Sequence, residues 1–182
     1  MADTPVFDNP TGLIGRVNGG GGTLKRLSGY LNLTAASNRE SYGMLPASAI
    51  GFKPKLLIFA PYSSNGGSIG NIHAVDIENK ISYGGRDQSW GIIFPDLTAK
   101  SFGSMISSSW GNSGSDCTAQ IRTMTYGGVP YKCIVSTTDS GDGTYGRSTY
   151  ISANGDIQIW SKTAYRDGSG GYVATFYYYI LG

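Results

Sequence analysis

Few side chains in this sequence could carry chemistry: one histidine, two cysteines, a sparse set of carboxylates and many tyrosines. His73 lies in the alternating run Gly70-Asn71-Ile72-His73-Ala74-Val75-Asp76. A nucleophile–histidine–carboxylate triad needs an orienting acid and a nucleophile on a sharp turn. Nothing around His73 supplies the strand–turn–helix context of such a nucleophile elbow, so His73 reads as a structural or surface residue. One histidine and two separated cysteines fall short of a tetrahedral zinc set. A pair of carboxylates, Asp139 and Asp142, sits in Thr138-Asp139-Ser140-Gly141-Asp142-Gly143. There Asp caps its own backbone, which is ordinary turn chemistry. The spacing misses the EF-hand pattern, and paired carboxylates for glycoside hydrolysis are the weaker reading. Gly15 and the run Gly19-Gly20-Gly21-Gly22 lack the Gly-Lys-Ser/Thr ending of a phosphate loop. The reading is a non-enzyme with no cofactor and no metal.

What remains abundant is glycine and tyrosine. Gly is 28 of 182 residues and Tyr 13, while charged residues are only 14%. Low charge with 12% aromatics argues against disorder. An interior Gly costs a helix roughly 1 kcal/mol relative to Ala, so long helices are not expected. Net charge is +2, and the longest basic run is Lys25-Arg26. That gives no basic stripe for nucleic acid. No apolar stretch is long enough to span a bilayer, and residues 1–10 show no secretory signal. The expectation is synthesis in a cytoplasm, without membrane insertion.

The elements that must position these residues are strands. The length suits one domain with a short appendage. Residues 1–28 hold Pro5, Pro10 and the glycine run, and read as a flexible attachment or linker segment; residues 29–182 read as the domain. Strand signals cover residues 30–34, 55–60, 68–77, 80–83, 90–94, 101–108, 118–125, 131–135, 148–152, 156–160 and 172–181. The continuous apolar run 55–60 predicts a central strand buried on both faces. Asn154-Gly155 marks a hairpin. Another turn at Gly127-Gly128 pairs Tyr126 with Val129 and so places Cys133 opposite Arg122 rather than Cys117. Free, buried thiols are therefore expected. The fold class is all-β: an antiparallel, jelly-roll-like β-sandwich of about ten strands with a flexible Gly-rich N-terminal segment.

Loops rich in Gly, Ser and Asp separate the strands, and two of them contain Trp110 and Tyr145. With Asn65, Ser107 and Asp116 these form the candidate ligand-binding set. Aromatic faces cover sugar rings, and short polar side chains adapt to hydroxyls. Near the end, Tyr177 and Tyr179 fall on one strand face and Tyr178 on the other. All three are candidate subunit-interface residues, since Tyr is enriched at interfaces.

The segment Ala49-Ile50-Gly51-Phe52-Lys53-Pro54-Lys55-Leu56-Leu57-Ile58-Phe59 resembles the Gly-Phe-x-Pro signature of small β-sandwich domains in bacteriophage tail-fibre and baseplate proteins. The end Thr175-Phe176-Tyr177-Tyr178-Tyr179-Ile180-Leu181-Gly182 is similar to their aromatic last strand, with Leu181 in place of a small residue. The resemblance covers roughly residues 45–182. It implies a virion structural role, frequently a homotrimer, with loops facing host or solvent, and it carries no catalytic residues. The expected partners are other virion proteins through residues 1–28 and a host cell-surface glycan. The alternatives are a capsid decoration or head-fibre protein, a free-standing lectin, and a glycan-degrading enzyme.

Overall fold

Strands form here where apolar residues recur at every second position, and they stop at Gly, Pro, Asn and Asp. The computed structural model describes residues 6–8, 12–14, 24–37, 40–63, 72–84, 90–102, 115–116, 120–135, 146–162 and 173–182. In chain order the first elements are β1 (Val6–Asp8), β2 (Gly12–Ile14), β3 (Arg26–Asn32), β4 (Thr34–Ser37), β5 (Glu40–Leu45) and α1 (Ala47–Ile50). Next come β6 (Leu56–Ser63), β7 (His73–Asp76), β8 (Ile81–Gly84), β9 (Trp90–Ile93), β10 (Ala99–Phe102) and β11 (Ser115–Asp116). The last are β12 (Gln120–Tyr126), β13 (Val129–Val135), β14 (Gly146–Ile151), β15 (Ile157–Lys162) and β16 (Val173–Leu181).

The fold is an all-β sandwich. One sheet has five strands in the order β3-β16-β6-β7-β8, and the other has seven in the order β11-β10-β9-β14-β15-β5-β4. Leu57, Phe59 and Phe176 from the first meet Trp90, Ile151 and Ile159 from the second in one buried cluster. Fully burying such side chains contributes roughly 1.5–3 kcal/mol each. The hairpin β12–β13 forms a third layer on the far face of the seven-stranded sheet, where Cys133 and Val135 pack with Trp160.

Several expectations need correction. The third layer makes the architecture more than two packed sheets, and β9 pairs with β14 in parallel within an otherwise antiparallel ladder. The run 55–60 is central but buried on one face only: Leu57 and Phe59 are buried, Leu56, Ile58 and Ala60 half-buried. The strand buried on both faces is β9, whose four residues are all inaccessible. Gly91 lets the hairpin approach it, because a Cβ there would run into Ile134. The strand β5 was not expected, since its buried positions are Ser41, Gly43 and Leu45. Small residues give little hydrophobic signal, and Leu31 and Leu33 fill the space beside Gly43. Arg26, Leu27 and Ser28, assigned on sequence to the leading segment, belong to β3 and pair with β16.

Other expectations meet the structure directly. The β12–β13 register pairs Tyr126 with Val129 and Arg122 with Cys133. Gly127 and Gly128 both take positive φ, 55° and 82°, as a two-residue hairpin turn requires. Gly51 ends the single helical turn α1 at φ 75°, a left-handed cap that a Cβ would strain.

The two poles of the sandwich differ. At one pole tight turns close the strands: residues 77–80, 95–98 and 152–156, with α1 beside them. The C-terminus and the start of β3 are also there, since Gly182 N–H donates to the Lys25 carbonyl at 3.0 Å and Leu181 pairs with Arg26.

Candidate functional site

At the opposite pole, strand ends from both sheets converge. Trp90 pairs with Phe102, Gly146 with Lys162, Lys162 with Glu40, and Val173 with Ser63. Ser41 Oγ donates to the Val173 carbonyl at 2.6 Å and ties the two sheets together at this level. The strand ends bounding residues 64–71, 85–89, 103–114 and 163–172 all lie here, as does Gly146 at the end of residues 136–145. Of the ligand-binding candidates, Asn65, Ser107, Trp110 and Tyr145 fall outside the described residues. Asp116 is on β11, where it pairs with Lys100 near this pole. The chain segments that carry the candidates are thus tethered at one end of the fold.

A second surface was only partly anticipated. The outer face of the five-stranded sheet is broad, aromatic and uncovered by other described residues. On it Tyr177 and Tyr179 sit side by side with Ala60 and Ile58 of β6 and with Tyr30 and Ser28 of β3. The row of Tyr179 and Ile58 continues through Ala74 to Tyr83 on β8. Tyr30 is 63% exposed, Tyr83 66% and Tyr177 42%, with Ile81 and Ile72 also exposed. The Tyr30 and Tyr177 rings meet at 6.1 Å with a 53° tilt. Tyr178 points the other way, packs on the core cluster, and lies over Gly29, where a Cβ would crowd its hydroxyl. The outer face therefore has Tyr177 and Tyr179 but not Tyr178. Sequence showed the alternation in β16; it could not show that β3 and β8 add Tyr30 and Tyr83 to the same face.

Under the third-layer hairpin a denser aromatic group forms. Tyr42 stacks on Tyr126 at 4.5 Å, and Tyr131 meets both rings edge-on. Trp160 Nε1–H is shared between the Tyr126 hydroxyl at 2.7 Å and Glu40 Oε1 at 2.9 Å. Burial raises the Tyr131 phenol above its ordinary value, so it stays protonated at neutral pH. These contacts clamp the hairpin onto the sheet, since a buried indole N–H needs an acceptor.

Among the described residues, His73 and Cys133 are placed as packing elements. His73 is fully buried on β7, stacked on Phe59 at 4.9 Å with Trp90 at 6.3 Å. Burial lowers its pKa to about 4, so it is neutral at pH 7. Cys133 is a free buried thiol with Sγ 3.5 Å from the Arg122 carbonyl, and burial pushes it up to about 12. Cys117, Asp139 and Asp142 lie outside the described residues. Gly66-Gly67-Ser68-Ile69-Gly70 has the letters of a nucleophile elbow and also lies outside them; the next described element is strand β7, not a helix. Among the described residues no group of three or more His, Cys, Asp and Glu is placed to hold a metal ion. No helix among them is long and apolar enough to cross a membrane.

No protein-family model, curated protein or solved structure matches this chain.

Proposed function

We propose that this chain is a structural protein of a bacteriophage virion, a tail-fibre or receptor-binding-like domain that meets the host surface through its loop pole. The observation that carries this reading is the polarity of the sandwich. The chain enters β3 at the pole of tight turns, and the strand ends that bound the long Gly/Ser-rich segments lie at the other. An attachment made through the leading segment would therefore leave those segments facing outward. The two sequence motifs behind the phage resemblance also form one unit at the entry pole. Lys55 N–H donates to the Leu181 carbonyl at 2.8 Å, and the Phe52 ring lies against Gly182.

On this reading the rigid sheets supply position and the loops supply contact. Trp110 and Tyr145 would cover the apolar face of a surface sugar, with Asn65, Ser107 and Asp116 on its hydroxyls. Several copies in one particle would multiply weak contacts by avidity. Binding of the purified protein to whole host cells tests it, with Trp110→Ala and Tyr145→Ala expected to weaken attachment. A protein that binds no host cells, loops intact, removes the receptor-binding role.

The second reading is a capsid decoration or head-fibre protein, favoured by the wide tyrosine face, which suits lateral packing in a shell. Labelling the chain in intact particles separates the two, through density at the tail or on the head.

A further inference from the structure

Monomeric proteins seldom expose contiguous apolar patches beyond a few hundred Å². The outer face of the five-stranded sheet has Tyr30, Tyr177, Ile58, Ala74, Tyr83 and Ile81 in neighbouring positions. We propose that this face docks against the same face of a second copy of the chain, the copies related by a two-fold axis parallel to the strands. The inference goes beyond the virion reading: it names the partner of a surface that the reading leaves open.

Area is the first argument. With strands about 4.8 Å apart and about 3.3 Å per residue, five strands of these lengths cover roughly 500 Å² in projection. With β3 laid over β8 the facing strands overlap over roughly 400 Å² per copy in projection. Because side chains corrugate the surface beyond its projection, the two copies together approach the ~1,000 Å² that a specific interface needs. The face has the composition of an interface core as well, with tyrosines and aliphatics across its middle rows.

Charge is the second argument, and it selects the second copy. The row nearest the entry pole runs Arg26, Leu181, Leu56, Asp76, Ile81 across the sheet. Its cation, Arg26, stands at the β3 edge. Its carboxylate stands toward β8, with Glu78 in the adjoining turn. Lys80 in that turn pairs with Asp96 and so adds no net charge. A two-fold axis parallel to the strands keeps each row at its own level and reverses its order, laying β3 over β8. Arg26 of each copy then faces the Asp76 and Glu78 side of the other, twice over, as an isologous interface requires. A homotrimer, which the sequence resemblance implies, would have to form elsewhere on the molecule, because this face is complementary to itself.

Sedimentation equilibrium of the full chain at micromolar concentrations tests the proposal. The expected result is a species of twice the monomer mass. Tyr83→Lys and Tyr177→Lys, at exposed positions, should each weaken association at least tenfold while leaving the circular dichroism and the urea midpoint of the monomer unchanged. Arg26→Glu and Glu78→Lys should each weaken it about fivefold, and the double swap should restore most of the loss. A monomer at all concentrations, a trimer, a dimer indifferent to both lysine substitutions, or a double swap no tighter than its parents would each overturn the proposal. None of these outcomes bears on where the chain sits in a particle, so the virion reading stands or falls separately.

Discussion

The carboxylate of Asp156 accepts the backbone N–H of Ala47 at 2.8 Å, joining the turn between β14 and β15 to the first residue of α1. The Asp156 backbone N–H in turn donates to Ser152 Oγ at 3.0 Å. One residue thus caps a helical turn through its side chain and braces a hairpin through its backbone. Asp156→Ala should destabilise the fold by about 1–2 kcal/mol, the usual cost of a lost cap. Asp156→Asn, which keeps an acceptor, should cost less than half of that. Urea unfolding followed by fluorescence reads both, and equal losses would show that the cap geometry contributes nothing.

The buried imidazole of His73 sets the acid limb of stability. Its folded pKa is about 4 against an ordinary 6.5. The unfolded chain therefore binds a proton in a range where the folded chain does not. Stability is complete above 6.5, falls as pH drops through that value, and levels off near 4. The difference is worth about 3 kcal/mol. Asp76 and Asp96, held low by bonds from Asn79 and Lys80, act in a separate window below their ordinary 3.8. His73→Phe should flatten the urea midpoint between neutral pH and about pH 4. A variant that keeps the wild-type slope there would assign it to other groups.

Gly91 is held small by its neighbour in the third layer. Gly91→Val should cost about 2–3 kcal/mol through overpacking against Ile134. Adding Ile134→Ala should return part of the loss, a coupling that a double-mutant cycle resolves. Strict additivity would mean that the hairpin is free to move away.

Cys133 should be silent in the native state. With its thiol buried and pushed up to about 12, it has no thiolate to react at neutral pH. Alkylation followed by peptide mass spectrometry should find Cys133 unmodified in buffer and modified in strong denaturant. Labelling in buffer would show that the hairpin opens readily.

The parts of this fold visible in the sequence are those whose signal is local. Alternation gave β16, the Gly127-Gly128 turn gave the β12–β13 register, and Pro95 marked the end of the strand signal at β9. What stayed hidden depends on partners far along the chain. The strand β5 buries Ser41 and Gly43, so its inward face looks polar until Leu31 and Leu33 are seen beside it. The both-faces burial of β9 needs a hairpin from β12–β13 above it, and four residues cannot announce a third layer. The helical turn α1 is too short to have a period, although Pro46 and Gly51 bracket it. The candidate site divides along the same line. Tyr177 and Tyr179 were legible as a shared face, whereas the contribution of Tyr30 and Tyr83 appears only once the strand order is known.

The place of β16 between β3 and β6 has a consequence for how the molecule is made. A ribosome delivers β3 long before β16, yet among the described residues β16 is the only neighbour β3 has in its sheet. Until β16 arrives β3 waits without that partner, while β6, β7 and β8 can already associate. Such distant pairing is slow, because the loop must close before any contact rewards it. A chain stopped just short of Val173 would lose more than β16, since β3 would be left with no neighbour in the sheet among the described residues.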